Sequence, residues 1–387
     1  MRYDFDTVVE RSGTAAVKWD MRTPEEVKLG YLPLSVADME FKSPPCVIKA
    51  LEEAAKHGLY GYTHPDEAFF RACRWWSKNR HGFDCEDSAI VPICGVVPGL
   101  NYAVRAFTQP GDGVIVMTPV YPPFLTLPKN GQRQLVCSPL KVVDGRFAID
   151  FDDFEWRVRQ SRWLVLSNPH NPGGTVWDKE TLSRIADICY RNNVNVISDE
   201  IHADMTLPPH QHISFSTVSD NARNISITFI APSKTFNIAG LGSSICYCPN
   251  EQLRQRFFGY LDGYGLAGGD IFAYVGAEAA YSHGEEWLQQ LLVYLKGNVE
   301  CLRTFLAERL PQVKVVLPEA SYLAWLDFSA MGLDHEEIRN RLLQRARVAL
   351  NDGTTFGGND YRGCFRINLG CPRATLLEAL ERIASCF

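Results

Sequence analysis

Lys234 stands in "APSKTFNIAGLGS" (231–243), directly after the apolar run "NISITFI" (224–230). A lysine amine can bond covalently to an aldehyde, so a lysine at the end of a buried strand is a candidate for Schiff-base chemistry. Three further apolar runs, rich in branched residues, also end on polar groups. "GVIVMT" (113–118) leads to Tyr121, "RWLVLS" (162–167) to Asn171 in "NPHNPGG", and "VNVIS" (194–198) to Asp199 and His202. "AIVPIC" leads through Gly95 into "VVPGLNYAVRAF", where Pro98 suits a first helical turn. The backbone N–H groups at Gly95, Val96 and Val97 would favour an anion, notably phosphate.

Taken one at a time, these features are ordinary. A lysine after a strand is usually solvated, Asp-Glu after a strand is often a helix cap, and Asn-Pro-Gly sequences form turns. Tyr121 between prolines suits packing, and His202 suits a structural role. Their joint order at strand ends has one chemical logic, because open α/β sheets bind ligands beyond the carboxyl ends of their strands. Pyridoxal 5'-phosphate (PLP) needs a Schiff-base lysine and an acidic partner at its ring nitrogen. Lys234 and Asp199 fit those tasks, with Asn171 donating to the ring hydroxyl oxygen and Tyr121 stacking on the ring face.

The elements that must position these residues read as an α/β layer. The apolar runs are buried strands, and "WDKETLSRIADICYRNN" (177–193) is an amphipathic helix. In it Leu182, Ile185, Ala186 and Cys189 share a face, and Asp178 is the N-cap. Strand, helix, strand implies a mostly parallel central sheet flanked by helices. After about residue 285 the pattern turns helical, followed by the strand-like "VKVVLP", "SYLAWLDF" and "CFRINLG" and a closing helix at "ATLLEALERIASCF". The expected organisation is an N-terminal segment (1–40) packing on the small domain, a large domain (41–284) and a smaller α+β domain (285–387).

Composition sets the frame. The 387 residues suggest more than one domain, and 46% hydrophobic with 22% charged residues allows a large core. A net charge of -6 argues against nucleic-acid binding, and no apolar run is long enough to span a membrane. The start has no apolar signal-peptide core, and the 12 cysteines are scattered without a CxxC pair. A cytoplasmic protein with free thiols is therefore expected.

"NPHNPGG", "SDEIHAD", "APSKTFNIAGLGS" and "CFRINLGCPR" resemble the class I/II aminotransferase superfamily of PLP enzymes, fold type I. "VADMEFKSPPCVIKAL", "LYGYT", "YPPF", "SKTFNIAGL" and "SYLAWLDF" narrow the resemblance to the MalY/PatB-type C–S lyases, which include cystathionine β-lyases. The resemblance implies that Lys234 is the Schiff-base lysine, that Asp199 binds the pyridine nitrogen, that Asn171 and His202 lie beside the ring hydroxyl, and that Tyr121 stacks on the ring. It implies that Arg366 clamps the substrate carboxylate with a bidentate fork, with Tyr121, Ala37 and Asp38 also binding the substrate. It also implies that Tyr62 reaches the phosphate of a neighbouring subunit, so that Tyr62 and Tyr121 join Lys234 in a catalytic site shared across a homodimer.

The chain departs from the superfamily pattern at three places. Ala231 and Gly242 stand where many members carry a serine and an arginine on the phosphate, so Ser233, Tyr62 and the helix start near Gly95 are expected to carry that load. Gly173 replaces a common threonine and is expected to be tolerated in its turn. The expected reaction is β-elimination on L-cystathionine or related cysteine S-conjugates, with Lys234 as the base at Cα. The alternatives are an aminotransferase, which needs the same cofactor site, and a PLP-binding protein with a regulatory binding role. A metal site at His202, His210 and His212 is disfavoured, because their spacing sets no ligand register.

Overall fold

The computed structural model describes residues 3–84 and 86–387. The first strand, β1 (Leu32–Pro33), is followed by eight strands that make one sheet. These are β2 (Ile90–Cys94), β3 (Gly113–Thr118), β4 (Gln134–Val143), β5 (Arg146–Ile149), β6 (Trp163–Ser167), β7 (Asn195–Asp199), β8 (Ser226–Ile230) and β9 (Ser243–Tyr247). Their spatial order is β2-β9-β8-β7-β6-β3-β4-β5. The middle, from β8 to β4, is parallel; β9 and β5 join antiparallel, and β2 pairs antiparallel with β9. The expected mostly parallel sheet is therefore present, with antiparallel margins.

Alternation along the central strands feeds two cores. Ile115, Leu164, Leu166 and Val196 pack with one cluster, which includes Leu182, Ile185, Ala186 and Cys189 of the helix Lys179–Arg191. Val114, Val116, Val165, Ile197, Ile227 and Phe229 pack on the opposite face with Leu100, Ala103 and Val104 of the helix Val96–Phe107. Each Val, Leu, Ile or Phe among them contributes about 1.5–3 kcal/mol by leaving water, which is why runs buried on both faces are continuously apolar. The Asp178 side chain accepts from Thr181 N–H at 2.7 Å and starts its helix as expected.

Five short strands follow the long helix Glu285–Arg309: β10 (Lys314–Val316), β11 (Leu323–Asp327), β12 (Val348–Ala349), β13 (Asn351–Asp352) and β14 (Cys364–Asn368). β10, β11, β14 and β13 form an antiparallel sheet in that order. The helix Arg373–Ala384 packs beside Glu285–Arg309, and Asn298 of the latter donates to the carbonyls of Leu369 and Cys371, both at 2.9 Å. The N-terminal segment lies on this part of the molecule. β1 pairs in parallel with β12, and the Phe5 ring meets Trp287 edge-on at 5.7 Å. Among the described residues no helix is long and apolar enough to cross a membrane.

Candidate active site

The parallel register brings the strand ends into line. Ser167 at the end of β6 faces Asp199 at the end of β7, and Asp199 faces Phe229 of β8. A cavity of about 200 Å³ opens beyond these ends. Gly95, Val96, Val97, Tyr121, Asn171, Asp199, His202, Ser233, Lys234 and Ala37, all singled out in the sequence, line it.

Lys234 stands on a single helical turn, Pro232–Thr235, that begins where β8 ends. Pro232 starts the turn with its backbone angle preset. Thr235 fixes it from below by donating to Asp204 Oδ2 at 2.9 Å, and buried Asp204 also receives the Trp76 indole N–H at 2.9 Å. The Lys234 amine donates to the Ala37 carbonyl at 2.7 Å. Burial pushes its pKa down to about 8, assisted by Arg366 and Lys18 and opposed by Asp38 and Asp199.

Asp199 is buried, and Ile201 N–H donates to its Oδ1 at 3.1 Å. No cation among the described residues lies within ion-pair distance of it. Burial pushes its pKa up to about 7, with Glu200 adding and Ile201 N–H and Lys234 opposing. His202 is held neutral, its pKa driven down to about 3 by burial first and by Lys234 and Arg366 next; its Nδ1 has no partner. Arg366, on β14, is buried behind Asn171 without an acid partner among the described residues. Its Nη1 donates to Asn171 Oδ1 at 3.0 Å, and its Nη2 to Ser35 O at 3.0 Å and Asn351 Oδ1 at 2.6 Å. Its Nε is unpartnered, and the guanidinium lies over the Phe356 ring at 5.1 Å.

These unmet groups fit PLP. A buried carboxylate without a cation suits a protonated ring nitrogen, and an unpartnered neutral imidazole and an amide suit a ring hydroxyl. Gly95 caps the twelve-residue helix Val96–Phe107, whose first N–H groups have no acceptor within the helix. Gly95 has φ +102°, and a Cβ there would meet Pro98 Cδ at 3.3 Å, so only glycine brings the backbone to the cavity this way. Gly242, in place of the usual arginine, turns the chain at φ +61° against Cys94 Sγ.

Two expected residues lie elsewhere. Tyr62 is fully exposed, at 112% of the reference area, on a stretch without regular structure, and does not line the cavity. Asp38 is turned away from the cavity: it pairs with Arg11 at 2.8 Å and with Lys18 at 3.0 Å. The expectation for Gly173 is sharpened. A Cβ there would come to 2.4 Å from Phe147 Cε2, so the glycine is required by the ring and not merely tolerated. The three histidines of the disfavoured metal reading are engaged separately: His212 Nε2 lies 2.9 Å from Glu200 Oε2, His210 Nδ1 lies 3.9 Å from Glu319, and His202 lines the cavity.

Sequence reasoning placed Ala37 and Asp38 of the strap between β1 and the helix Pro45–His57 at the site but missed what its backbone carbonyls receive. Four consecutive carbonyls of the strap accept side chains: Ser35 from Arg366, Val36 from Asn368 at 2.6 Å, Ala37 from Lys234 and from Tyr322 at 3.1 Å, and Asp38 from Lys18 at 3.0 Å. Asn368 also donates to Asp38 O at 2.8 Å. Tyr322 lay within a quoted motif, "SYLAWLDF", but an aromatic residue in an apolar run carries no sign of what its hydroxyl touches.

The aminotransferase class I and II family model matches residues 30–383. The chain belongs to the class I and II aminotransferase family. As a member of that family it is 43% identical over 382 residues, 98% of each chain, to cystathionine beta-lyase PatB of Bacillus subtilis. Among solved structures, cystalysin from Treponema denticola, which contains pyridoxal 5'-phosphate, is similar at TM-score 0.94 and 36% identity, covering 100% of this chain and 99% of that one. The PLP-bound C–S lyase from Staphylococcus hominis is similar at TM-score 0.92 and 31% identity, covering 100% and 98%.

Proposed function

We propose that this family member is a PLP-dependent carbon–sulfur β-lyase acting on L-cystathionine or related L-cysteine S-conjugates. One observation carries the reading: an amine and a carboxylate without a cation line one cavity, and a guanidinium without an acid lies directly behind its Asn171 wall. The full-length likeness to a cystathionine β-lyase supports the same chemistry.

PLP, when bound, supplies an aldehyde for the substrate amino group and a ring that draws electrons from the substrate α-carbon. Lys234 would hold the aldehyde carbon, Asp199 the ring nitrogen, Asn171 and His202 the ring hydroxyl, and Tyr121 the ring face. Of the expected phosphate donors, the Gly95 N–H is engaged by the Ile93 carbonyl at 2.8 Å and by Ser244 Oγ at 3.1 Å, so the N–H groups at Val96 and Val97, with Ser233, would hold the phosphate. Arg366 binds the substrate carboxylate through two parallel N–H donors, which fixes the Cα–H bond toward Lys234. Lys234, with its pKa near 8, takes the Cα proton, a contribution of about 10²–10⁴-fold for a well-placed base. The Cβ–S bond breaks with its electron pair on sulfur, and the sulfur takes a proton from Lys234 or Tyr121. With one water consumed, the products are a thiol, pyruvate and ammonia.

The shared site is part of the same proposal. Tyr62, Leu59 and Tyr60 are exposed large side chains on one stretch, which supports burial against a second copy and a homodimer in which Tyr62 reaches the partner's phosphate. We keep the 1–40, 41–284 and 285–387 division and a cytoplasmic location as part of this reading.

The test is incubation with cystathionine without any keto acid, measuring thiol and pyruvate. Equal release of both is expected. No thiol, together with glutamate-dependent amino transfer, would overturn the lyase reading in favour of an aminotransferase.

A further inference from the structure

A charge cluster built around the buried Lys18 and Glu40, with Arg11 and Asp38 partly exposed, lies behind the strap and takes no part in the chemistry just described. Lys18, only 3% exposed on the short helix Val17–Asp20, donates to Glu40 Oε1 at 2.7 Å and to Asp38 O at 3.0 Å, and lies 3.0 Å from Asp38 Oδ1. Arg11 contacts both acids, at 2.8 Å to Asp38 and 3.1 Å to Glu40. The Trp19 indole N–H donates to the other oxygen of Glu40 at 3.0 Å. Two cations and two anions thus close a neutral cluster. A lysine taken from water is costly unless it is paired and hydrogen-bonded, and here three oxygens satisfy it.

The cluster reaches the active-site lysine through two hydrogen bonds to the carbonyls of adjacent residues. Asp38 is the residue after Ala37, whose carbonyl receives the Lys234 amine. The strap is also stitched to the loop beyond Lys234: Asn237 Oδ1 accepts from Met39 N–H at 2.9 Å, and its Nδ2 donates to the carbonyls of Met39 and Phe41. Asp38 and Lys18 both act on Lys234 electrostatically and with opposite signs.

We propose that Lys18 is a positioning residue for Lys234: it anchors and neutralises the acidic end of the strap whose Ala37 carbonyl receives the lysine amine. The proposal rests on reading Lys234 as the cofactor lysine. The charged groups around that amine are Asp38 on the strap, Arg366 on β14, Asp199 on β7 and Lys18 on the N-terminal helix; the uncharged Tyr121, His202 and Tyr322 complete the surround. Lys18 sets the charge balance among them. Without it the cluster carries a net negative charge and Lys234 becomes more basic. Without the Asp38 charge the balance turns positive and Lys234 becomes less basic.

The experiment is competitive acylation of the full-length, cofactor-free chain with acetic anhydride across pH, reading the Lys234 peptide by mass spectrometry. Lys18→Met is expected to raise the Lys234 midpoint by about half a unit or more, and Asp38→Asn to lower it by a similar amount, as expected for a like or opposite charge nearby. Lys18→Arg, which keeps the charge, is expected to leave the midpoint in place. A merely structural role loosens the strap in both neutral variants and moves both midpoints the same way. Unmoved midpoints, or shifts of the same sign, would overturn the proposal. Should Lys18→Met fail to fold, Asp38→Asn decides alone: an unmoved or raised midpoint overturns it. No cofactor, substrate or turnover enters this readout, so it stands or falls separately from the lyase assay.

Discussion

Replacing Arg366 by lysine keeps the positive charge and removes the fork. In the structure the guanidinium divides its donors between Asn171 Oδ1 through Nη1 and the Ser35 carbonyl and Asn351 Oδ1 through Nη2. A single ammonium cannot span both sides, so a bound carboxylate loses one of its two charge-assisted hydrogen bonds. Such a bond contributes about 1.5–3 kcal/mol, and about 1.4 kcal/mol is a factor of ten. The expected loss in kcat/KM is therefore about 10-fold to about 150-fold. Because the carboxylate is held before and during reaction, most of the loss should appear as a higher KM. The assay is thiol release from cystathionine over a range of concentrations, with thermal unfolding showing that the variant is folded. A folded Arg366→Lys enzyme within about threefold of the parent, or one impaired in kcat alone with KM unchanged, would refute the carboxylate role.

Three further outcomes are expected. The pKa of Asp199 is about 7 when folded, against about 4 unfolded, so the folded chain binds the proton more tightly and stability falls as pH rises through that window. The loss is about 4 kcal/mol over three pH units, and Asp199→Asn should abolish that slope in the melting temperature of the cofactor-free chain while removing lyase activity. Gly173→Ala should destabilise by about 1–3 kcal/mol in denaturant titration, since its Cβ would strike the Phe147 ring, and Phe147→Leu should recover part of the loss. If Tyr62 serves the partner's site, mixing Tyr62→Ala chains with Lys234→Ala chains should restore activity to about a quarter of the parent level, because half the dimers are mixed and each has one whole site. No gain on mixing, with exchange verified by differently tagged chains, would locate Tyr62 outside the site.

Much of the site was legible because β3, β6, β7 and β8 are buried on both faces, so the first polar residues after each apolar run mark its end. Parallel strands then bring those ends together, which is why Tyr121, Asn171, Asp199 and Lys234 could be grouped without coordinates. Legibility failed where burial depends on a distant partner. Lys18 sits in "AVKWD" on a helix of four residues, too short to show a period, and what buries it is Glu40, 22 residues away. The need for glycine at 173 was hidden for the same reason: the turn permits a larger residue, but the Phe147 ring, 26 positions earlier, fills the space. Asp38 was assigned to the substrate by its motif, yet its carboxylate is committed to two cations that no local pattern connects to it.

The row of strap carbonyls has a consequence for selectivity. Arg366 and Lys234 are the groups that would meet a substrate's carboxylate and α-carbon, and in the cofactor-free chain they donate to Ser35 and Ala37. A carboxylate at Arg366 therefore exchanges acceptors at Nη2, where only the difference appears as affinity, and gains a fresh hydrogen bond at the unpartnered Nε alone. The strap therefore sets a threshold at Arg366: a ligand must offer an acceptor at least as strong as the Ser35 carbonyl to take its place.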